Sequence, residues 1–574
     1  MGIERLPLFD YTFTVRIVSL SAGCRNTVDA VGTVLVRCTA LLALAAAFCP
    51  VGGLAQGGVR SSAHSASSRG RNSEAAPSAA EKRFAARAQQ LLDSGIAAQG
   101  QWGALVMDAE SGAILYQRNA DKYFVPASNM KLLTTALALE KLGTDAQFRT
   151  TVETSGVLSP DGTLSSDLVL VGRGDPNLSN RKFPFDGKEE FVGPPESVLA
   201  ELADAVVARG VKAVAGDVVG DDSYFPRERY PSGWEVDDLV WEYGAAISAL
   251  VINDNTVKLT LAPGAMPGDP VYAEVSPATP DFVVENRVVT SGVDEHPDLR
   301  LTREPGAARV VVSGTLPAKG SARKLVLAVQ EPAQHAAALL KSLLEARGVS
   351  IYGVARANHD PSDATDDRVI LAEHKSVPLG ESVKLVNKIS QNLHTEIYLR
   401  AAARTVGIWK TPEELAAFPE NFYEQAGIVK DDVIQSDGSG LSRHDLVTPR
   451  ALVAMLRYAQ QRPWFAAYYD SLPIAGVDGT LEDRMKNTPA AGRVHAKSGS
   501  LEHVRTRSGY AETASGRRLI FSFMGNNQAG KSHEATDVLD GLCVAMAEEW
   551  AAVTPAQAVK PAARKQGKTA PAGL

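Results

Sequence analysis

Cysteine is scarce in this chain: 574 residues hold four, at positions 24, 38, 49 and 543. The first three lie in an amino-terminal segment with the marks of a removable leader, so the mature chain keeps Cys543 alone. That excludes an intramolecular disulfide framework, and the absence of any C-x-x-C pair excludes the usual thiolate zinc sites. Cys543 itself, in an apolar helical stretch, reads as a core residue. Aromatics make up only 6% and do not interleave with a basic stripe; with a net charge of −7, no nucleic-acid partner is indicated. The apolar run Thr39 to Phe48 (TALLALAAAF) is too short for a membrane-spanning helix. No G-x-S-x-G word occurs, which removes the nucleophile elbow of the Ser-His-Asp hydrolases.

What is present is a globular composition, 45% hydrophobic and 22% charged, in a chain too long for a single core. Arg37, the apolar run and the small-residue end Gly53-Leu54-Ala55 make residues 1–55 a secretory signal peptide, so the protein is expected to be periplasmic or secreted. Phe48 precedes Cys49, which is not a lipobox, and no transmembrane segment is expected in the mature chain. Residues 56–82 (Ser, Gly, Ala, Arg) read as a disordered linker, and 553–574 (Ala, Pro, Lys) as a disordered tail.

Between them the texture changes twice. Residues 83–160 predict a helix over Phe84 to Ser94, strands over Trp102–Asp108 and Ala113–Arg118, and a helix from Ser128 to about Leu142. Residues 161–374 are dominated by short apolar or alternating segments between Gly and Pro turns, with helices over Glu196–Arg209 and Ala333–Arg347. This reads as one or two β-rich domains inserted into a catalytic domain. Residues 375–552 return to helices, over Glu381–Arg404, Pro412–Ala426 with a break at Pro419, and Thr448–Gln461. A hairpin (Val504–Thr513 with Arg517–Gly525) and a last helix over Ala535–Ala551 complete this part.

Three short words carry chemistry: Ser128-Asn-Met-Lys131, Ser390-Gln-Asn392 and Lys497-Ser498-Gly499. S-x-x-K alone is weak, and it also occurs at Ser179/Lys182 and Ser321/Lys324; only Ser128 opens a helix. There the spacing puts Lys131 one turn along on the same face. A serine hydroxyl needs an adjacent base, and lysine serves if burial and neighbouring charge, here Lys497 across a cleft, draw off its proton. Alone, Ser128 reads equally as a helix-start serine beside a solvated lysine, Lys497-Ser498 as a turn, and Ser390 with Asn392 as an exposed helix face. The three words in this order favour a serine acyl-transfer site with a lysine base.

Longer words resemble the class C low-molecular-mass penicillin-binding proteins, D-alanyl-D-alanine carboxypeptidases and endopeptidases. They are Pro126-Ala-Ser-Asn-Met-Lys131, Gly174-Asp-Pro-Asn-Leu178, Asn387-Lys-Ile-Ser-Gln-Asn392 with Glu396, Asp437-Gly-Ser-Gly-Leu-Ser-Arg443, Leu472-Pro-Ile-Ala-Gly-Val-Asp-Gly-Thr-Leu481 and Ala496-Lys-Ser-Gly-Ser-Leu501. The resemblance implies an α/β (α+β) penicillin-recognising fold, β-lactamase-like, with an antiparallel sheet. It implies Ser128 as nucleophile, Lys131 as its base, Ser390 as proton relay, and Asn392 holding Lys131 and a substrate amide. Lys497 with Ser498 would bind the terminal carboxylate, and the N–H groups of Ser128 and Ser500, beside Gly499, would form the oxyanion hole. Peptidoglycan peptides are the implied substrates and β-lactams the covalent inhibitors, with no cofactor or metal. A serine β-lactamase shares the three words, but no Glu-x-x-Leu-Asn word offers its water-activating base. Three positions depart from the family pattern: Ser498 for the usual Thr, Thr395 for Ala, and Arg507 at a normally apolar place in the hairpin.

Overall fold

The computed structural model describes residues 77–304, 306–361, 367–408, 411–529 and 532–550. The expected leader, most of the expected linker and the expected tail lie outside the described residues.

An antiparallel five-stranded sheet carries the site. Strands β1 (Gln101–Asp108) and β2 (Ile114–Arg118) come early in the chain; β3 (Val494–Leu501), β4 (Val504–Glu512) and β5 (Arg518–Asn526) come late. Their order is β3-β4-β5-β1-β2. Alternation along β1 divides its side chains between two cores. Trp102, Ala104 and Val106 pack under the helices α1 (Ala79–Leu92) and α6 (Ser532–Glu549), and Cys543 is buried there. Leu105 faces α2 (Met130–Leu142) and α5 (Pro449–Ala459). Helix α1 starts at Ala79, earlier than Phe84, because Ser78 and Glu81 form a capping box: Glu81 N donates to Ser78 Oγ at 3.2 Å and Ser78 N to Glu81 Oε2 at 2.7 Å.

Helix α2 is buried all round from Met130 to Leu139, as a helix without a polar face must be. The solvated reading of Lys131 is thereby overturned, since its side chain is 0% exposed.

The single helix expected over Glu381–Arg404 is two helices, α3 (Leu379–Lys388) and α4 (Asn392–Thr405). The break falls at Ser390, whose φ of 67° lies in the left-handed region that no helix continues through. Gln391 caps the second helix, its side chain accepting from Leu393 N at 2.9 Å. The expected break at Pro419 is present, between helices Pro412–Ala417 and Glu420–Gln425.

The inserted segment is more α/β than its apolar runs suggest. A mixed sheet orders Ala355–Asn358, Val218–Asp221, Leu168–Gly172, Arg149–Thr154 and Val369–Lys375, the first three parallel. Helices Ser197–Ala208 and Pro332–Glu345 share its core. Leu168–Gly172 is buried at every residue, the continuous pattern of a strand covered on both faces. Within this, two three-stranded sheets enclose a separate core around Val257, Leu259, Val310 and Val312.

Candidate active site

Ser128 sits in a 3-10 turn, Ala127–Asn129, that runs straight into α2. Ala127 has φ = 48°, an unfavourable place for a residue with a β-carbon, and the surroundings hold it there. Strand β4 supplies Thr506 Oγ1, which donates to Pro126 O at 2.7 Å; its Ser508 Oγ accepts from Asn129 Nδ2 at 2.8 Å. On β5, Asn526 brackets Val125, accepting from its N at 2.7 Å and donating to its O at 3.1 Å.

All five expected catalytic residues meet. Lys131 Nζ donates to Ser128 Oγ at 2.9 Å and to Asn392 Oδ1 at 2.6 Å. Ser390 Oγ donates to Ser128 Oγ at 3.0 Å, and Lys497 Nζ to Ser390 Oγ at 2.9 Å. A continuous line of hydrogen bonds therefore joins Lys497, Ser390, Ser128, Lys131 and Asn392. The left-handed turn at Ser390 is what aims its hydroxyl away from either helix and into this line.

Ser498, Gly499 and Ser500 lie on β3, the sheet edge. Ala496 N donates outward to Pro473 O and Val494 O accepts from Ala475 N; antiparallel alternation then turns the N–H groups of Ser498 and Ser500 away from β4 as well. Gly499 lets this edge approach Ser128. A β-carbon there would lie 2.2 Å from Thr506 Oγ1, 2.8 Å from Pro126 O and 3.0 Å from Ser128 N. The other S-x-x-K words take no part in the hydrogen-bonded line: Lys182 pairs with Glu190 at 2.6 Å, and Ser321 and Lys324 are exposed.

Burial drives the electrostatics. It pushes the Lys131 ammonium down to about 7, against the opposing pull of Asp437, Glu396 and Asp445. Lys497 is driven well below the ordinary amine range, by burial first and by the charge of Lys131 second. The sequence suggested the reverse influence, Lys497 acting on Lys131. Desolvation does that work instead, because both amines are fully enclosed.

Several supporting groups were given no role by the sequence reading, although Glu396 and Asp437 stand in its longer words. Lys131 Nζ also donates to Ser439 O at 2.7 Å. Glu396 Oε1 fixes that carbonyl by accepting from Gly438 N and Ser439 N, both at 2.8 Å. Burial raises the Glu396 carboxyl to about 7, with Asp437 adding and Arg400 opposing. Asp437 folds the same loop, accepting from Gly440 N at 2.6 Å and Ser442 N at 2.8 Å. Gly440, at φ = 81°, passes so near Ala127 that a β-carbon would lie 1.9 Å from its carbonyl oxygen. The word Asp437–Arg443 and Glu396 are the signs of this wall in the sequence. The insertion contributes too: Asn392 Nδ2 donates to Tyr243 O at 2.8 Å, and His394 Nε2 meets Asp254 Oδ1 at 2.8 Å. Of the departures, Thr395 is absorbed by a 2.7 Å bond to Gln391 O, and Arg507 by an ion pair with Asp540 of α6.

Two cavities flank the line. One of about 240 Å³ is lined by Ser128, Ser390, Ser498 and Ser500. Another, of about 570 Å³, lies toward the insertion and is lined by Ser390, Asn392, Tyr243 and Asp254 among others. Among the described residues no helix is long and apolar enough to cross a membrane.

Residues 85–546 match the D-Ala-D-Ala carboxypeptidase 3 (S13) family. The D-alanyl-D-alanine carboxypeptidase of Actinomadura sp. (strain R39) is 34% identical over 457 residues, 78% of this chain and 81% of that one. The D-alanyl-D-alanine carboxypeptidase DacB of Haemophilus influenzae is 28% identical over 425 residues, 73% and 84% of the two chains. The crystal structure of penicillin binding protein 4 (dacB) from Haemophilus influenzae is similar with a TM-score of 0.70 at 26% identity, over 80% of this chain and 98% of that one.

Proposed function

The chain belongs to the D-Ala-D-Ala carboxypeptidase 3 (S13) family, and from that premise we propose that it is a serine-type D-alanyl-D-alanine carboxypeptidase and endopeptidase acting on peptidoglycan. The observation that carries this reading is the hydrogen-bonded line from Lys497 through Ser390 to Ser128 and Lys131.

Ser128 Oγ attacks the carbonyl carbon of the penultimate D-alanine, and Lys131, half neutral near pH 7, takes its proton. The oxygen that becomes negative lies between the N–H groups of Ser128 and Ser500. When the carbon–nitrogen bond breaks, the Ser390 hydroxyl gives a proton to the leaving amine and is resupplied with the proton that Lys131 took from Ser128, so that both groups return to their starting states. Water then hydrolyses the acyl-serine ester. Asn392 holds Lys131 through its oxygen and orients the substrate amide. A β-lactam acylates Ser128 in the same way, but its leaving amine stays tethered and water is kept out. No metal or organic cofactor enters any step.

The 570 Å³ cavity beside Ser390 and Asn392 supports access for cross-linked as well as terminal stem peptides. The signal-like leader supports a periplasmic or secreted location, where these substrates occur.

Fluorescent penicillin, with a folded Ser128→Ala control, tests the assignment. A stable one-to-one adduct lost in the control, with D-alanine released from stem peptides and dimers cleaved, is expected. A folded protein that takes no label is a scaffold; one that destroys the drug rapidly is a β-lactamase.

A further inference from the structure

Ser390 stands in a strained place. Its φ of 67° is left-handed, and a residue with a β-carbon stays there only where its surroundings leave it no other choice. On one side Gln391 caps α4. On the other side α3 ends at Lys388, a lysine with no part in the hydrogen-bonded line from Lys497 to Asn392.

Lys388 is 4% exposed. A buried ammonium is costly unless its N–H groups are met, and here they are met outside its own helix. Nζ donates to Leu472 O at 2.8 Å and to Asp478 Oδ2 at 2.5 Å. Both acceptors belong to the segment Leu472–Leu481, one of the longer words of the sequence. The second carboxylate oxygen, Asp478 Oδ1, accepts from Ile474 N at 2.8 Å, so the carboxylate is fixed by its own loop. Asn387 adds a neighbouring tie, donating from Nδ2 to Ser471 Oγ at 2.8 Å. Gly479 lies directly on the Lys388 carbonyl: a β-carbon there would be 2.7 Å from that oxygen.

The same segment is bonded to β3. Ala475 N donates to Val494 O and Ala496 N to Pro473 O, each at 2.9 Å, and Ile474 bridges His495. Lys497 follows Ala496 directly. The end of α3 is thus fastened, through Lys388 and this segment, to the strand that carries Lys497. Ser390 comes two residues after Lys388. The fastening therefore sets how far the Ser390 hydroxyl stands from Lys497 Nζ, 2.9 Å, and from Ser128 Oγ, 3.0 Å.

That placement matters most at one step. An amide nitrogen leaves only as it takes up a proton, and a donor misplaced by about 1 Å can cost about a hundredfold in rate. A thiolate, whose conjugate acid has a pKa of about 8.5, leaves without a proton.

We propose that Lys388, which bonds none of the reacting groups, is a positioning residue: held by Leu472 O and Asp478, it fixes the left-handed turn at Ser390 and with it the proton transfer to the leaving nitrogen. The chemical half of this rests on the acyl-serine reading of Ser128; the positional half does not.

Two measurements on the full chain test it, with Lys388→Met, Lys388→Arg and Asp478→Asn. The first compares kcat/KM for an N-acylated D-Ala-D-Ala peptide with that for its analogue carrying sulfur in place of the leaving nitrogen. Expected in Lys388→Met is a fall of roughly tenfold or more in the amide-to-thioester ratio, as in Ser390→Ala, with part of it regained in Lys388→Arg. A lysine that only stabilised the fold would lower both substrates alike, so an unchanged ratio in folded protein overturns the proposal. Should Lys388→Met not fold, Asp478→Asn, which keeps an oxygen for Ile474 N, carries the same expectation and the same refutation. The second measurement is a crystal structure of whichever variant folds. Ser390 Oγ is expected out of hydrogen-bond reach of Lys497 Nζ or Ser128 Oγ, and wild-type distances there overturn the proposal. If the wild type turns over neither substrate while Ser390 has moved in the variant, the hold by Lys388 stands and the reading of Ser128 falls.

Discussion

Acylation of Ser128 is expected to follow the neutral fraction of Lys131. An exposed lysine, with a pKa near 10.5, is neutral at pH 7 in roughly one molecule in 3,000. Held at about 7, Lys131 is neutral in about half. Burial therefore multiplies the competent base about a thousandfold, a shift worth on the order of 5 kcal/mol at 1.36 kcal/mol per pKa unit. The sign follows from the chemistry. Lys131 must lose its proton to accept one from Ser128, so the rate constant for labelling by fluorescent penicillin rises with pH through about 7 and then levels. Two pH units below the midpoint it is about a hundredfold lower. Rapid-mixing fluorescence between pH 5 and 9 at fixed ionic strength reads this directly. Lys131→Ala should fall to background and lose the rise. A midpoint near 10, a flat profile, or the same profile in Lys131→Ala would refute the assignment of Lys131 as a base prepared by burial.

Two further predictions concern the supports of the site. Gly499→Ala drives a methyl group against Thr506 Oγ1 and the Pro126 carbonyl; a loss of about 1–3 kcal/mol in urea unfolding and a more than tenfold fall in labelling rate are expected, and wild-type labelling would show that β3 has room to move. Arg400→Met removes the cation that Glu396 Oε2 meets at 2.9 Å and Glu228 Oε2 at 2.8 Å. Leaving Glu396 buried without it costs about 3–5 kcal/mol, and an unfolding free energy in urea lowered by less than a fifth of that would contradict the account.

The side chains to which we assign the chemistry were legible in the sequence because their spacing is local. Ser128 and Lys131 need only one turn of helix between them, and Lys497 only a strand before a hairpin. Ser390 was legible as an anomaly in a helical run, but not as a left-handed break, since nothing in periodicity marks a single residue with φ of 67°. The Ser439 carbonyl left no trace of its own, because a backbone oxygen carries no residue identity. Only the loop that aims it, through Asp437 and Gly440, has a recognisable wording. In the insertion, a run such as Leu168–Gly172 reads as strand either way; parallel and antiparallel neighbours are distinguished by crossovers distant in sequence, not by the run itself.

The position of β5 governs when the enzyme comes alive. It is the middle strand of the five, between β4 and β1, and it is made after every other strand of the sheet. Until it is inserted, the early hairpin that leads to Ser128 and the late edge that carries Lys497 have no common frame. Lys131 in such a chain is wetted, protonated and unable to activate the serine. The long-range pairing of β1 with β5 is of the slow kind, in which chain closure precedes its reward. Closure of this long-range pairing is therefore the condition on which the base proposed for Ser128 depends.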